Sequence, residues 1–171
     1  MSEADRTEIV SDTFATEHKG SKIELSNNGQ TAKLTGMYGE NGWGTVRGSK
    51  LMSSGAIYRT DVTIDNLAFG SRIRIGVCLS TSGKDATSAI GWYWDTKSAS
   101  IFSPNTSSTN YGETCKTGDE ITIIVDLIDY KISFCKNEKD LGVAFSNFSK
   151  SSTWNFLVCI DNQQGSQVTL N

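Results

Sequence analysis

The sequence predicts an all-β fold, a sandwich of two antiparallel sheets. Three observations carry that expectation. Apolar side chains alternate with a period of two, turn residues separate the alternating runs, and no stretch has the three-to-four spacing of a long amphipathic helix. Strands that are apolar on one face and polar on the other belong to antiparallel sheets whose inner faces meet.

The elements follow in order along the chain. KIEL and TAKL flank Asn27-Asn28-Gly29, which predicts a hairpin because Asn-Gly tolerates positive φ. In IYRTDVTI, Tyr58, Val62 and Ile64 oppose Arg59, Asp61 and Thr63. In RIRIGV, Ile73, Ile75 and Val77 alternate with Arg72, Arg74 and Gly76. Gly118-Asp119 opens ITIIVDL, where Ile121, Ile123, Val125 and Leu127 share a face. Asp129-Tyr130 turns that strand into KISF, Asn137 to Asp140 leads to LGVAF, and Val168 and Leu170 end the pattern. About ten to twelve short strands fit this length.

The chain has 171 residues, 37% hydrophobic and 20% charged, enough for one domain with a sizeable core. The polar segment 1–13 is expected as a solvated tail, and residues 14–171 as the domain. Sixteen basic against 19 acidic residues give a net charge of −3, which argues against nonspecific nucleic-acid binding. The start has no basic segment followed by an apolar one, and no apolar run approaches the ~20 residues that span a bilayer. A cytoplasmic protein with no membrane association is therefore expected. Cys78, Cys135 and Cys159 sit in apolar runs, and with Cys115 form no Cys-x-x-Cys pair, so free and mostly buried thiols are expected rather than a metal site.

Little in the chain is equipped for catalysis, and no cofactor or metal is expected. The single histidine, His18, lies among charges, and Asp126 lacks the second strand carboxylate that glycoside hydrolysis needs. Glu3, Asp5 and Glu8 have the spacing of an acidic triad, but in a polar tail without the apolar partners of a rigid strand. Asp161-Asn162 is too little for a calcium site.

Beyond these patterns, an ordered series of segments resembles the SPRY domain family. Gly118-Asp119-Glu120-Ile121 followed by IIVDL, ISFCKN and LGVAF is similar to the C-terminal half of that family's pattern. Upstream, Trp43 with Thr45-Val46-Arg47, Gly55 with Tyr58 to Ile64, Ile75-Gly76-Val77 and Gly91 to Asp95 resemble its earlier strands, and Gly165 to Leu170 its last one. The resemblance covers roughly 40–171, with 20–35 similar to the hairpin that often precedes such a domain. It implies a bent, concanavalin-like jelly-roll sandwich that binds a partner protein or peptide through loops at one end, without catalysis. The family's substrate-receptor subgroup grips peptide with a basic, proline-containing loop and an aromatic-Gly loop. Here those loops read GMYGENG and DNQQG, so that subgroup's peptide specificity does not carry over.

The expected recognition rim consists of Tyr38, Glu40, Asn41, Lys84, Asp85, Asn162, Gln163 and Gln164, on polar loops that a rigid scaffold would display. Tyr38 is the aromatic anchor in this scheme. Trp43 and Trp94 are expected in the core, Trp92 exposed, and Trp154 capping the core under a loop. The expected function is a monomeric protein-interaction adaptor, the alternative being a lectin-like carbohydrate-binding domain.

Overall fold

The computed structural model describes residues 7–9, 12–37, 42–82, 91–104, 106–150, 152–161 and 164–171. Fifteen strands form two sheets among them. The first strands are β1 (Thr7–Ile9), β2 (Phe14–Lys19), β3 (Ile23–Ser26), β4 (Thr31–Leu34) and β5 (Trp43–Gly48). Next come β6 (Ile57–Asn66), β7 (Ile73–Leu79), β8 (Gly91–Asp95), β9 (Ser100–Ser103) and β10 (Thr106–Asn110). The last are β11 (Glu120–Asp126), β12 (Lys131–Lys136), β13 (Lys139–Ser146), β14 (Trp154–Asp161) and β15 (Gln167–Leu170).

One sheet runs β13-β12-β11-β6-β15-β4-β3 and the other β10-β9-β8-β7-β14-β5-β2. Every ladder is antiparallel except that of β1, which pairs in parallel with Ile57–Arg59 of β6. The alternation read from the sequence becomes the core. Ile73, Ile75, Val77 and Trp94 of the seven-stranded sheet belong to one buried cluster with Val62, Ile64, Ile121, Ile123, Val125, Ile132 and Phe134 of the other. The β3–β4 hairpin turns through Asn27, Asn28 and Gly29, all at positive φ.

Several expectations change. The count of ten to twelve strands is low because β1, β2, β9 and β10 carry no clean apolar alternation. The segment Thr96 to Asn110, which shows no apolar alternation, contains β9 and the Ser/Thr-rich β10. The supposed tail 1–13 supplies β1, and Asp12 is buried. Its Oδ1 accepts the N–H groups of Ser49 and Lys50 at 3.1 and 3.0 Å and the Ser49 hydroxyl at 2.9 Å. Backbone pairing and this one carboxylate anchor the segment, which a search for apolar periodicity does not detect. Glu3 and Asp5 of the acidic spacing lie outside the described residues.

Trp94 and Trp154 are fully buried, as expected. Trp92 is not the exposed member of its pair. Residues two apart on a strand share a face, so Trp92 points inward like Trp94 and packs 4.9 Å from Trp154 and 6.3 Å from Phe148. Asp126 is structural, its Oδ1 accepting the N–H groups of Ile128 and Asp129 at 2.8 Å each. All four cysteines are free; Cys115 is buried although outside the apolar runs, and Cys135 is only half-buried.

Asp119 gives the fold a pH dependence. It is buried beside Lys136 (3.3 Å) and accepts from Asn137 Nδ2 at 2.9 Å and Lys116 N–H at 2.8 Å. Burial by itself raises its pKa, but those hydrogen bonds and the Lys136 charge outweigh it and leave it lowered. A carboxyl lowered on folding stabilises above its unfolded pKa of about 3.9, and that contribution is lost as pH falls through the native value. In urea melts, the advantage of wild type over Asp119→Asn should be full at pH 6 and shrink below about pH 4. An advantage unchanged down to pH 3 would contradict this.

Candidate recognition surface

Strand register decides which loops meet. Asp161 of β14 lies opposite Trp43 of β5, Ile160 opposite Ile73 of β7, and Arg74 opposite Asp95 of β8. The start of β5, the end of β14, the start of β7 and the β8–β9 turn therefore share one end of the sheet. Hydrogen bonds fasten the connections there. Leu34 N–H donates to Ser166 O (3.0 Å) and Gly165 N–H to Leu34 O (2.8 Å). Ala68 N–H reaches Ser166 Oγ (3.0 Å), which donates to Ser71 Oγ (2.9 Å), and Lys97 Nζ donates to Gly70 O (2.8 Å). Phe69, fully exposed at 101%, tips this pinned turn.

Of the eight expected rim residues, only Gln164 is among the described ones, and it is exposed. Tyr38, Glu40, Asn41, Lys84, Asp85, Asn162 and Gln163 lie outside them. Their flanking strands are informative nonetheless. Segments 38–41 and 162–163 attach at the end just described, at Gly42-Trp43 and Asp161. The segment holding Lys84 and Asp85 leaves from Leu79, which pairs with Trp154, and returns at Gly91, which pairs with Cys78. That is the opposite end of β7, so the structure does not bring this attachment beside the other two.

Next to the first end, the outer face of the seven-stranded sheet carries a row of side chains that the sequence reading missed. The Arg74 guanidinium carbon lies 3.8 Å from the Trp43 ring centroid, 4.8 Å from Tyr93 and 5.2 Å from Phe102. Tyr93 and Phe102 stack at 5.5 Å and 18°. Arg74 Nε donates to Asp95 Oδ2 at 3.1 Å, and Nη1 to the Tyr93 hydroxyl at 3.1 Å. Asp95 is wholly buried, and its other oxygen accepts the N–H groups of Lys97 and Ser98. Trp43, Arg74, Tyr93 and Phe102 are each half-buried. Trp43 thus corrects its expected place: it packs on Cys78, Leu157 and Cys159, outside the inter-sheet core.

Parity alone marks two members of this row as outward-facing. The alternation that turns Ile73 and Ile75 inward turns Arg74 outward, and Tyr93 is the residue between two inward tryptophans. The electrostatics suit contact rather than chemistry. Burial pushes the Tyr93 hydroxyl pKa up, against the pull of Arg74. Burial also raises Asp161, despite Arg72 at 3.4 Å. Burial pushes the thiols of Cys78 and Cys115 to about 12 and that of Cys159 to about 11, so they stay protonated at neutral pH and are poor nucleophiles. His18 Nδ1 accepts from Arg47 Nη2 at 2.7 Å. Among the described residues no group of three His, Cys, Asp or Glu could hold a metal, and no helix is long and apolar enough to cross a membrane.

Comparison with known proteins agrees with this architecture. The SPRY domain family model matches residues 58–171, more than half of the chain. The SPRY domain of human HERC1 superposes with a TM-score of 0.74 at 19% identity, over 92% of this chain and 96% of that one. The TRIM65 PSpry domain gives 0.71 at 14% identity, over 95% and 90%. A further human SPRY domain gives 0.66 at 16%, over 88% and 95%. SPRY domains are protein-interaction modules and generally non-catalytic. With its sandwich and the ordered match through its last strand, this chain belongs to the SPRY domain family.

Proposed function

We propose that this domain is a non-catalytic recognition module for a peptide or protein segment, held over the outer-face row at the end of the sheet where β5 begins and β14 ends. The observation that carries this reading is the partly exposed Trp43–Arg74–Tyr93–Phe102 row. Binding energy at interfaces concentrates in Trp, Tyr and Arg. These side chains stand on strands and are fixed by stacking and by Asp95, so little freedom remains to be lost on binding. Of the expected rim, Gln164 is described and exposed; Tyr38, Glu40, Asn41, Asn162 and Gln163 lie outside the described residues and are assigned to this surface as polar contacts because their segments attach at Gly42 and Asp161. Lys84 and Asp85, attached at the far end of β7, fall outside this surface.

The test uses a displayed library of random linear peptides selected on the wild-type chain. Binders should lose at least tenfold in affinity on the Tyr93→Ala/Phe102→Ala variant, which should keep its β circular-dichroism spectrum at 25 °C. Undiminished binding by the folded variant would put the site elsewhere. An empty peptide selection beside a positive glycan array would replace this reading with a carbohydrate-binding one.

A further inference from the structure

The outer-face row has the form of an aromatic cage, and the cage is already filled. Trp43, Tyr93 and Phe102 surround the Arg74 guanidinium carbon at 3.8, 4.8 and 5.2 Å, an arrangement that in other proteins holds a ligand's cation. A cationic side chain brought by a partner finds that place taken and a like charge beside it. Of the five guanidinium N–H groups, two are spent, at Nε on Asp95 Oδ2 and at Nη1 on the Tyr93 hydroxyl. Among the described residues Nη2 has no acceptor, so the cage offers donors to a group from outside.

Two further cations stand beside it. Alternation puts Arg72 on the face of Arg74, about 7 Å nearer the end of the sheet. Its Nε lies 3.4 Å from Asp161 Oδ2, and its carbonyl accepts the Asp161 N–H at 2.9 Å. Lys97 donates to the Gly70 carbonyl, two residues before Arg72. All three cations act on the Asp161 carboxyl, although burial outweighs them. In both ion pairs the anion is the more enclosed partner. Arg72 keeps 47% of its side chain exposed against 17% for Asp161, and Arg74 keeps 19% against 1% for Asp95. Lys97 is exposed and meets a neutral oxygen. Among the described residues, three cations thus face outward over two enclosed carboxylates, in a chain whose net charge is −3.

We infer, resting on the recognition surface proposed above, that the bound segment is acidic: it carries a carboxylate that pairs with Arg74 Nη2 and the Arg72 guanidinium, beside an apolar side chain laid on the Tyr93–Phe102 stack. The planar donors of arginine match a carboxylate, and the rings and Asp95 already hold Arg74 in place. A neutral segment would strip water from both guanidinium groups without replacing it, which costs binding energy. A basic segment would add like-charge repulsion. A side-chain carboxylate and a free C-terminus share this chemistry, and the test separates them.

The peptides to read are those selected on the wild-type chain that depend on Tyr93 and Phe102. They should share an Asp or Glu at one position, or end in a free carboxylate. Replacing that residue by Asn or Gln, or amidating the terminus, identifies the source and should weaken binding to the wild-type chain at least tenfold. None of these changes touches the fold. Arg72 and Lys97 are exposed, so Arg72→Gln/Lys97→Gln removes charge without opening the core. On that variant the same peptide changes should cost less than threefold, and affinity should lose most of its salt dependence. Row-dependent peptides with no acidic group in common would overturn the acidic assignment and leave the recognition surface standing. So would a peptide carboxylate whose loss costs as much on the variant as on wild type. If no selected peptide depends on Tyr93 and Phe102, the recognition surface itself is overturned, and the acidic segment with it.

Discussion

Gly76→Ala should cost about 3 kcal/mol, toward the upper end for overpacking, and lower the melting temperature by roughly 10 °C. Gly76 lies in β7 opposite Tyr93 of β8. A Cβ there would overlap the carbonyl oxygen of Trp92 and stand 2.6 Å from the Tyr93 Cα. Both atoms are backbone, so no rotamer change relieves the contact and β8 must move away from β7. The movement reaches the recognition surface, because β8 carries Tyr93 and Asp95 on its outer face and Trp94 in the core. Thermal melts and urea titrations of the variant check the prediction. Loss of less than 1 kcal/mol would mean that the two strands have slack the structure does not show.

That glycine also indicates how much of the fold is legible in the sequence alone. Ile-Gly-Val was matched to a family strand, and the alternation around it correctly sent Ile73, Ile75 and Val77 to the core. Buried strands write themselves into sequence because burying one face enforces a period of two. Edge strands do so less reliably: β10 reads TSSTN and leaves no apolar signature, whereas β13 is legible as LGVAF. β1 escaped for a related reason, being held by backbone pairing and by Asp12. The outer-face row was hidden differently. Its members come from four strands, and only the register of β5, β14, β7, β8 and β9 makes Trp43, Arg74, Tyr93 and Phe102 neighbours. A rim chosen by loop composition joined segments from both ends of β7, because loop chemistry carries no information about the end at which a strand stops.

Asp95 is where fold and recognition surface are coupled most tightly, and Asp95→Ala is expected to cost about 3 kcal/mol, the lower end for breaking a buried ion pair. The lower end applies because Arg74 keeps 19% of its side chain in contact with solvent and can recover some hydration. Two losses combine in this variant. The guanidinium loses its carboxylate at 3.1 Å, and the N–H groups of Lys97 and Ser98 lose the oxygen that shapes the β8–β9 turn. Asp95→Asn retains an oxygen for the turn but replaces the other with an NH2 that cannot accept from Arg74 Nε, so about 2 kcal/mol is expected, the scale of a hydrogen bond to a charged group. Denaturation of the two variants separates the contributions, and a double-mutant cycle with Arg74→Ala isolates the pair. If Asp95 acts by holding Arg74 among its three rings, Arg74→Ala should cost far less in the Asp95→Ala background than in wild type. Strict additivity would mean that the aromatic rings alone position Arg74, and that the buried carboxylate serves the turn and not the surface.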